Sequence, residues 1–220
     1  MTTPSLPAAV LFDMDGTLLD SEKLWDIAVA EFTRDLGMEI TPEARESTLG
    51  NATADALRKL FDFAQVPEAD RDYAGAERWV SNRVVELFDG GIPWQPGARE
   101  TLDLLAAANV PLVLVTNTIR EVTEHALGTL GRDRFVATVC GDEVPSPKPA
   151  PDPYLRGAEL AGFPAGDCVA VEDSPTGSRS ALAAGCTVLT VGPEPVLDGA
   201  RHLGTLSGAA LVDFAPLSRR

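Results

Sequence analysis

From residue 94 onward the chain alternates amphipathic helical stretches with short apolar runs rich in β-branched residues, and few architectures accept that alternation. The runs at 111–115, 135–139, 168–171 and 187–191 are each separated by a stretch of helical period: 96–108, 120–130, 154–161 and 176–184, the last closed by Gly185. Strands that alternate with helices pack as βαβ units around a parallel sheet. A fifth apolar run, 8–12, lies far upstream, and an edge strand is expected at 210–212.

Between the first run and the rest there is no strand signal. A stripe of Trp25, Val29, Phe32 and Leu36 is ended by Gly37, and Thr41-Pro42 reads as an N-cap followed by proline at the first helical position. After a turn at 49–51, one stripe carries Leu57, Leu60, Phe61 and Ala64; another, over 67–88, carries Ala76, Val80, Val84 and Leu87. Gly90-Gly91-Ile92-Pro93 breaks the pattern. The expectation is an α/β, Rossmann-like parallel sheet core formed by residues 1–18 and 94–220, with an inserted α-helical domain over 19–93.

The first run ends in Asp13-Met14-Asp15-Gly16-Thr17. Residues two apart on a strand face the same way, so the two carboxylates project together unless the chain breaks at Met14 or Gly16. Like charges about 4 Å apart repel by roughly 4 kcal/mol at an effective dielectric near 20. The pair therefore needs a cation, a shared proton or a chemical task, unless Asp-Gly here is ordinary turn chemistry.

In open parallel sheets ligands sit beyond the carboxyl ends of the strands, so the first polar residues after each run carry the information. They are Asp13 and Asp15, then Thr116 and Asn117, then Lys148 in the Pro-rich loop, then Glu172 and Asp173. Four carboxylates, a hydroxyl, an amide and an ammonium suit a hard divalent cation held with an oxyanion, and Mg2+ fits best. Thr116 and Lys148 would donate to a phosphate. One aspartate can act as nucleophile and the other as general acid and base. Blander roles stand beside these: Thr116-Asn117 as a helix cap, Lys148 as a solvated lysine, and Glu172-Asp173 as an N-cap pair. His125 and His202 fit surface or structural roles, and Trp79 and Trp94 fit core or hinge packing.

Charge narrows the partners. Lys and Arg total 18 against 33 Asp and Glu, a net charge of −15, which repels nucleic acid and anionic membranes; the largest basic clusters are only Arg58-Lys59 and Arg219-Arg220. Cys140, Cys168 and Cys186 show no C-x-x-C spacing, so buried thiols in a reducing compartment are expected rather than a disulfide or zinc framework. No apolar run is long enough to span a membrane and no secretory signal is evident, so a cytoplasmic monomer or weak dimer is expected.

The segments Asp13-Met14-Asp15-Gly16-Thr17, Val115-Thr116-Asn117, Lys148-Pro149 with Pro151 and Tyr154 behind it, and Glu172-Asp173-Ser174-Pro175 with Gly177, resemble the four motifs of the haloacid dehalogenase-like hydrolase superfamily, in the right order across nearly the whole chain. The insert resembles the C1-type cap of the branch that contains β-phosphoglucomutase, phosphoglycolate phosphatase and small sugar-phosphate phosphatases. The resemblance implies a Mg2+-dependent phosphatase acting on a small phosphorylated metabolite, a sugar phosphate, through an aspartyl phosphate on Asp13. It implies Asp13 as nucleophile and metal ligand, and Asp15 as general acid/base that also binds the metal through its backbone carbonyl. Thr116, Asn117 and Lys148 would hold the phosphoryl group, and Asp173 with Glu172 would complete the metal site.

Substrate contacts are expected from the cap, at Trp25 and in the turn Gly50-Asn51-Ala52-Thr53, with Asn51 and Thr53 foremost. The mutase branch carries a His where Trp25 stands and an Arg near Thr53; both are absent here, which weighs against the alternative of a phosphomutase. The run from Asp20 to Trp25 is similar to bacterial phosphatases that act on hexose phosphates such as 2-deoxyglucose 6-phosphate. A receiver-like phosphoacceptor domain would share the acidic cluster, Thr and Lys, but it has no reason to carry so large a helical insert after its first strand.

Overall fold

The computed structural model describes residues 6–195 and 197–216; the Arg219-Arg220 pair and the extreme ends of the 1–18 and 94–220 segments lie outside them. Six strands form one parallel sheet: β1 (Val10–Phe12), β2 (Leu112–Val115), β3 (Ala137–Val139), β4 (Val169–Glu172), β5 (Thr187–Val191) and β6 (Arg201–Gly204), in the order β3-β2-β1-β4-β5-β6. β1 is central, with Val10, Leu11 and Phe12 paired to Leu112, Val113 and Leu114 on one side and to Val169, Ala170 and Val171 on the other. The fold is the expected α/β, Rossmann-like one.

The pleat divides the core. Leu11, Val113, Val115 and Ala170 pack with Tyr154 and Ala158 of α7 (Asp152–Ala161) and Ala181 of α8 (Pro175–Ala184). Val10, Phe12, Leu112 and Leu114 pack on the opposite face with Leu102 and Leu105 of α5 (Ala98–Ala107) and Val122 and Ala126 of α6 (Arg120–Leu130). Alternate side chains of one strand thus belong to different cores, the period of two that a strand imposes.

Four helices fill the stretch between β1 and α5: α1 (Glu22–Asp35), α2 (Pro42–Glu46), α3 (Thr53–Phe63) and α4 (Tyr73–Asp89). Their apolar stripes meet in an aromatic cluster, Phe32 edge-on to Phe61 at 5.8 Å and beside Trp79 at 5.7 Å, with Phe61 edge-on to Tyr73 at 5.2 Å. The entering and leaving segments pair with each other: Asp20 N–H donates to Pro93 O at 2.8 Å and Gln95 N–H to Leu18 O at 2.9 Å, with Leu19 bridged antiparallel to Trp94.

Two expectations need correction. Residues 210–212 are not a strand: the Asp213 carboxylate accepts from Ala210 N–H at 2.8 Å and winds 211–214 into a 3-10 turn that buries Phe214. The edge strand is instead Arg201–Gly204, whose mixed Arg-His-Leu-Gly sequence reflects an edge with little burial on either face. The 67–88 helix also starts later, because the Asp72 carboxylate accepts from Gly75 N–H at 2.8 Å and caps α4 afresh after a 3-10 turn at Glu68–Asp70.

Candidate functional site

Asp13 is the first residue past β1. Its N–H still donates to Val171 O at 3.0 Å, so the carboxylate leaves the sheet at a fixed point. The loop then tightens: Leu18 N–H donates to Met14 O at 3.0 Å, and Gly16 takes φ +80°, where any Cβ would lie 2.1 Å from Asp173 Oδ2. Glycine is required there because the loop passes directly beneath the Asp173 carboxylate.

The turn gives the two aspartates different hydrogen-bond partners. The Asp13 carboxylate faces Lys148, whose Nζ donates to Asp13 Oδ1 at 2.6 Å, to Glu172 Oε1 at 2.6 Å and to Val115 O at 2.8 Å. The three ammonium protons are thereby matched to three acceptors, and Lys148 is only 3% exposed. Tyr154 hydroxyl adds a second donor to Glu172 Oε1 at 2.6 Å. The Asp15 carboxylate lies among other donors: Ser21 Oγ at 2.6 Å and Trp25 Nε1 at 3.0 Å on Oδ1, and Thr118 Oγ at 2.7 Å on Oδ2.

Asp13, Glu172 and Asp173 each present a carboxylate oxygen within 4.8 Å of the others, and Thr17 Oγ donates to Asp173 Oδ1 at 3.1 Å. Two of the three carboxylates, Asp13 and Glu172, share the one ammonium, and Asp173 is left without it. Burial first, and Glu172 next, push Asp13 up to about 8 against the pull of Lys148. Burial, then Asp13 and Glu172, push Asp173 well above the usual carboxylate range. Burial alone would lower Lys148, but Asp13 and Glu172 override it and hold the ammonium above its ordinary value. An all-oxygen donor set with surplus negative charge fits a hard divalent cation. The side chain of Asp15 is not part of this set.

Asn117 works through its amide: Nδ2 donates to Gly50 O at 3.0 Å and Lys148 O at 3.1 Å, while Oδ1 accepts from Lys148 N–H at 2.8 Å. It joins the lysine loop to the turn between α2 and α3. Thr116 is buried and accepts from Thr118 N–H at 3.0 Å, with its hydroxyl 3.5 Å from Asp15 Oδ2. Neither residue caps α6, whose N-cap is Ile119. Nor are Glu172 and Asp173 caps of α8: Ser174 fills that position, accepting from Gly177 N–H at 3.0 Å. His125 meets Asp89 at 3.1 Å and His202 meets Thr190 at 3.1 Å, both outside the site.

A cavity of about 100 Å³ connects Asp13, Asp15, Lys148 and Asp173 with the insert. Trp25, Asn51 and Thr53 line it, but Trp25 is hydrogen-bonded to Asp15, and Asn51 Nδ2 donates to Ser47 O at 2.8 Å, within its own turn. Glu22, inside the run Asp20 to Trp25 singled out above, and Arg45 also line it; no sequence signal marked Arg45, which sits in a charge-rich helix. Burial raises Glu22 above its ordinary value. Thr118 was missed as well, though its place in the polar run after β2 could have shown it.

A family described as haloacid dehalogenase-like hydrolase matches residues 7–185. A probable pseudouridine-5'-phosphatase of Drosophila melanogaster is 33% identical over 214 residues, 94% of this chain and 90% of that one. Hexitol phosphatase A of Escherichia coli is 35% identical over 182 residues, 82% of this chain and 81% of that one. Among solved structures, CbbY from Rhodobacter sphaeroides in complex with phosphate aligns with a TM-score of 0.80 at 26% identity, covering 92% of this chain and 96% of that one.

Proposed function

The chain belongs to the haloacid dehalogenase-like hydrolase family, and from that premise we propose that it is a Mg2+-dependent phosphatase that hydrolyses a small phosphorylated metabolite, a sugar or polyol phosphate, through an aspartyl phosphate on Asp13. Relatives at 33% and 35% identity are phosphatases, so phosphoric monoester hydrolysis is the reaction to assign. The observation that carries the residue roles is the Lys148 bridge, 2.6 Å to Asp13 and 2.6 Å to Glu172, beside a carboxylate trio at the strand tips.

Asp13 attacks phosphorus, forming the Asp13–phosphorus bond as the bond from phosphorus to the substrate oxygen breaks. Asp15 gives its proton to that leaving oxygen. Asp15, now ionised, takes a proton from a water whose oxygen attacks the phosphorylated Asp13, releasing phosphate and restoring the carboxylate. Lys148 keeps Asp13 in place and supplies fixed positive charge to the phosphoryl oxygens, with Thr116 beside it. Asp13 and Asp173, with Glu172 behind them, would hold Mg2+, which when bound offsets charge on the transferring phosphoryl group.

Helices α1–α4 serve as a cap over the site, hinged where 18–20 pairs with 93–95, and exclude water while substrate is bound. A mutase would use the same core. The lack of an Arg at Thr53 to hold a second phosphate weighs against it. The test is phosphate release from p-nitrophenyl phosphate: steady turnover, stopped by EDTA and restored by Mg2+, supports the enzyme, whereas one stoichiometric labelling of Asp13 without release indicates a phosphoacceptor domain.

A further inference from the structure

Glu22 and Arg45 stand on the helical side of the cavity whose other side is formed by Asp13 and Lys148. Arg45 is anchored: Nε donates to Asp26 Oδ1 at 2.6 Å and Nη1 to Thr48 Oγ at 2.9 Å, leaving its side chain 16% exposed. Among the described residues lining the cavity the only cations are Arg45 and Lys148, against four carboxylates, Asp13, Asp15, Glu22 and Asp173. Both cations already have carboxylate partners. A second anionic group on the substrate would therefore meet, among the described residues lining the cavity, only cations whose charge a carboxylate already offsets, and would lie close to Glu22. The remaining wall of the helical side is apolar, from Val29, Leu57, Leu60 and Val80.

We propose that Arg45 and Glu22 are specificity-determining residues that select a neutral polyhydroxylated leaving group, Arg45 donating to its hydroxyls and Glu22 accepting from them, while the apolar wall takes its C–H face. Phosphomonoesters that carry a carboxylate or a second phosphate are discriminated against. Half-buried polar groups that substrate binding desolvates reward a substrate hydroxyl and penalise its absence. This rests on the phosphatase reading above, since the cavity selects only what the strand tips can cleave.

The experiment compares kcat/KM in Mg2+ for sorbitol 6-phosphate, 2-phosphoglycolate, fructose 1,6-bisphosphate and p-nitrophenyl phosphate, with wild type, Arg45→Gln and Glu22→Gln. Wild type should favour sorbitol 6-phosphate over 2-phosphoglycolate and fructose 1,6-bisphosphate, the two esters with an additional anionic group, by about tenfold or more. Arg45→Gln should lower the ratio of sorbitol 6-phosphate to aryl phosphate by about tenfold, mainly through KM. Glu22→Gln should narrow the gap between sorbitol 6-phosphate and 2-phosphoglycolate. Thermal melts establish that each variant is folded, and each ratio is internal to one variant. A wild-type preference for 2-phosphoglycolate or the bisphosphate overturns the proposal, as does a ratio that moves in neither variant. No phosphate release by wild type from any ester, the aryl one included, overturns the phosphatase reading itself and this selection with it.

Discussion

The indole Nε1 of Trp25 donates to Asp15 Oδ1 at 3.0 Å, so the first helix of the insert holds the carboxylate assigned as general acid and base. Ser21 Oγ, at the N-cap of the same helix, reaches the same oxygen at 2.6 Å. Any swing of α1 away from the sheet pulls two donors off Asp15. Trp25→Phe keeps the ring and removes the N–H. A typical hydrogen bond contributes about 0.5–1.5 kcal/mol, so a fall in kcat of up to about tenfold is expected for an alkyl phosphate. p-Nitrophenyl phosphate, whose leaving group needs little protonation, should lose less; equal losses on both esters would assign Trp25 a packing role only.

Asp13→Asn removes the nucleophile and one oxygen of the carboxylate trio, and turnover should vanish. Asp15→Asn should slow turnover by about 10²–10⁴, the usual loss on removing a general acid/base. Rapid-quench labelling separates the two, because Asp15→Asn can still accumulate phosphorylated protein from an aryl ester. Substantial phosphatase activity in Asp13→Asn would falsify the covalent route.

Lys148→Met leaves Asp13 and Glu172 facing each other without the ammonium that lies 2.6 Å from each. Breaking a buried ion pair by removing one partner costs about 3–5 kcal/mol, and denaturant unfolding at pH 8 should show a loss of that order. The loss should shrink at pH 5, where protonation relieves the repulsion.

Asp13 is pushed up to about 8, from an ordinary value of 3.8, by burial and by Glu172. A folded-state value above the unfolded one means that proton uptake stabilises the folded chain at low pH, and that this contribution is lost as pH rises from about 4 towards 8. The metal-free protein should thus lose stability over that window. Mg2+ binds the ionised carboxylates and replaces the proton, so the rise in Tm on adding Mg2+ should be larger at pH 8 than at pH 5.5. A rise independent of pH would show that the trio does not bind the ion.

A Cβ at Gly177 would lie 2.0 Å from the Glu172 carboxyl carbon, and Lys148 and Tyr154 prevent that carboxylate from moving aside freely. Gly177→Ala should cost about 1–3 kcal/mol, as overpacking does. It should also lower kcat by displacing the Lys148 bridge. Scanning calorimetry and turnover measured together check both.

Much of this was legible from residue order. Asp13, Thr116, Lys148 and Asp173 lie at or beyond strand ends because apolar runs of four or five residues announce buried parallel strands, and the polar residue that ends each run marks the sheet edge. The turn at Gly16 was legible too. The edge strand Arg201–Gly204 was not, because a strand with little burial needs no apolar run. Arg45 was hidden, and Glu22 was marked only as part of the run Asp20 to Trp25, for a related reason: a charged residue on a helix looks the same whether it faces water or a cavity.

The amino-acid order by itself determined the parallel sheet, the helical insertion after β1 and the set of polar residues at the strand tips, because strand and helix periods and the polarity at each run's end are local properties. The tertiary structure alone decided how those residues divide their contacts: Asp13 with Lys148, Glu172 and Asp173 in one cluster, and Asp15 hydrogen-bonded to Ser21, Trp25 and Thr118. It also decided that Trp25 holds Asp15, and that Glu22 and Arg45 face the cavity. Partners 24 to 135 residues apart in the chain meet at Lys148 only when the sheet has formed, and the energy of such contacts depends on distance and burial, which no local pattern encodes.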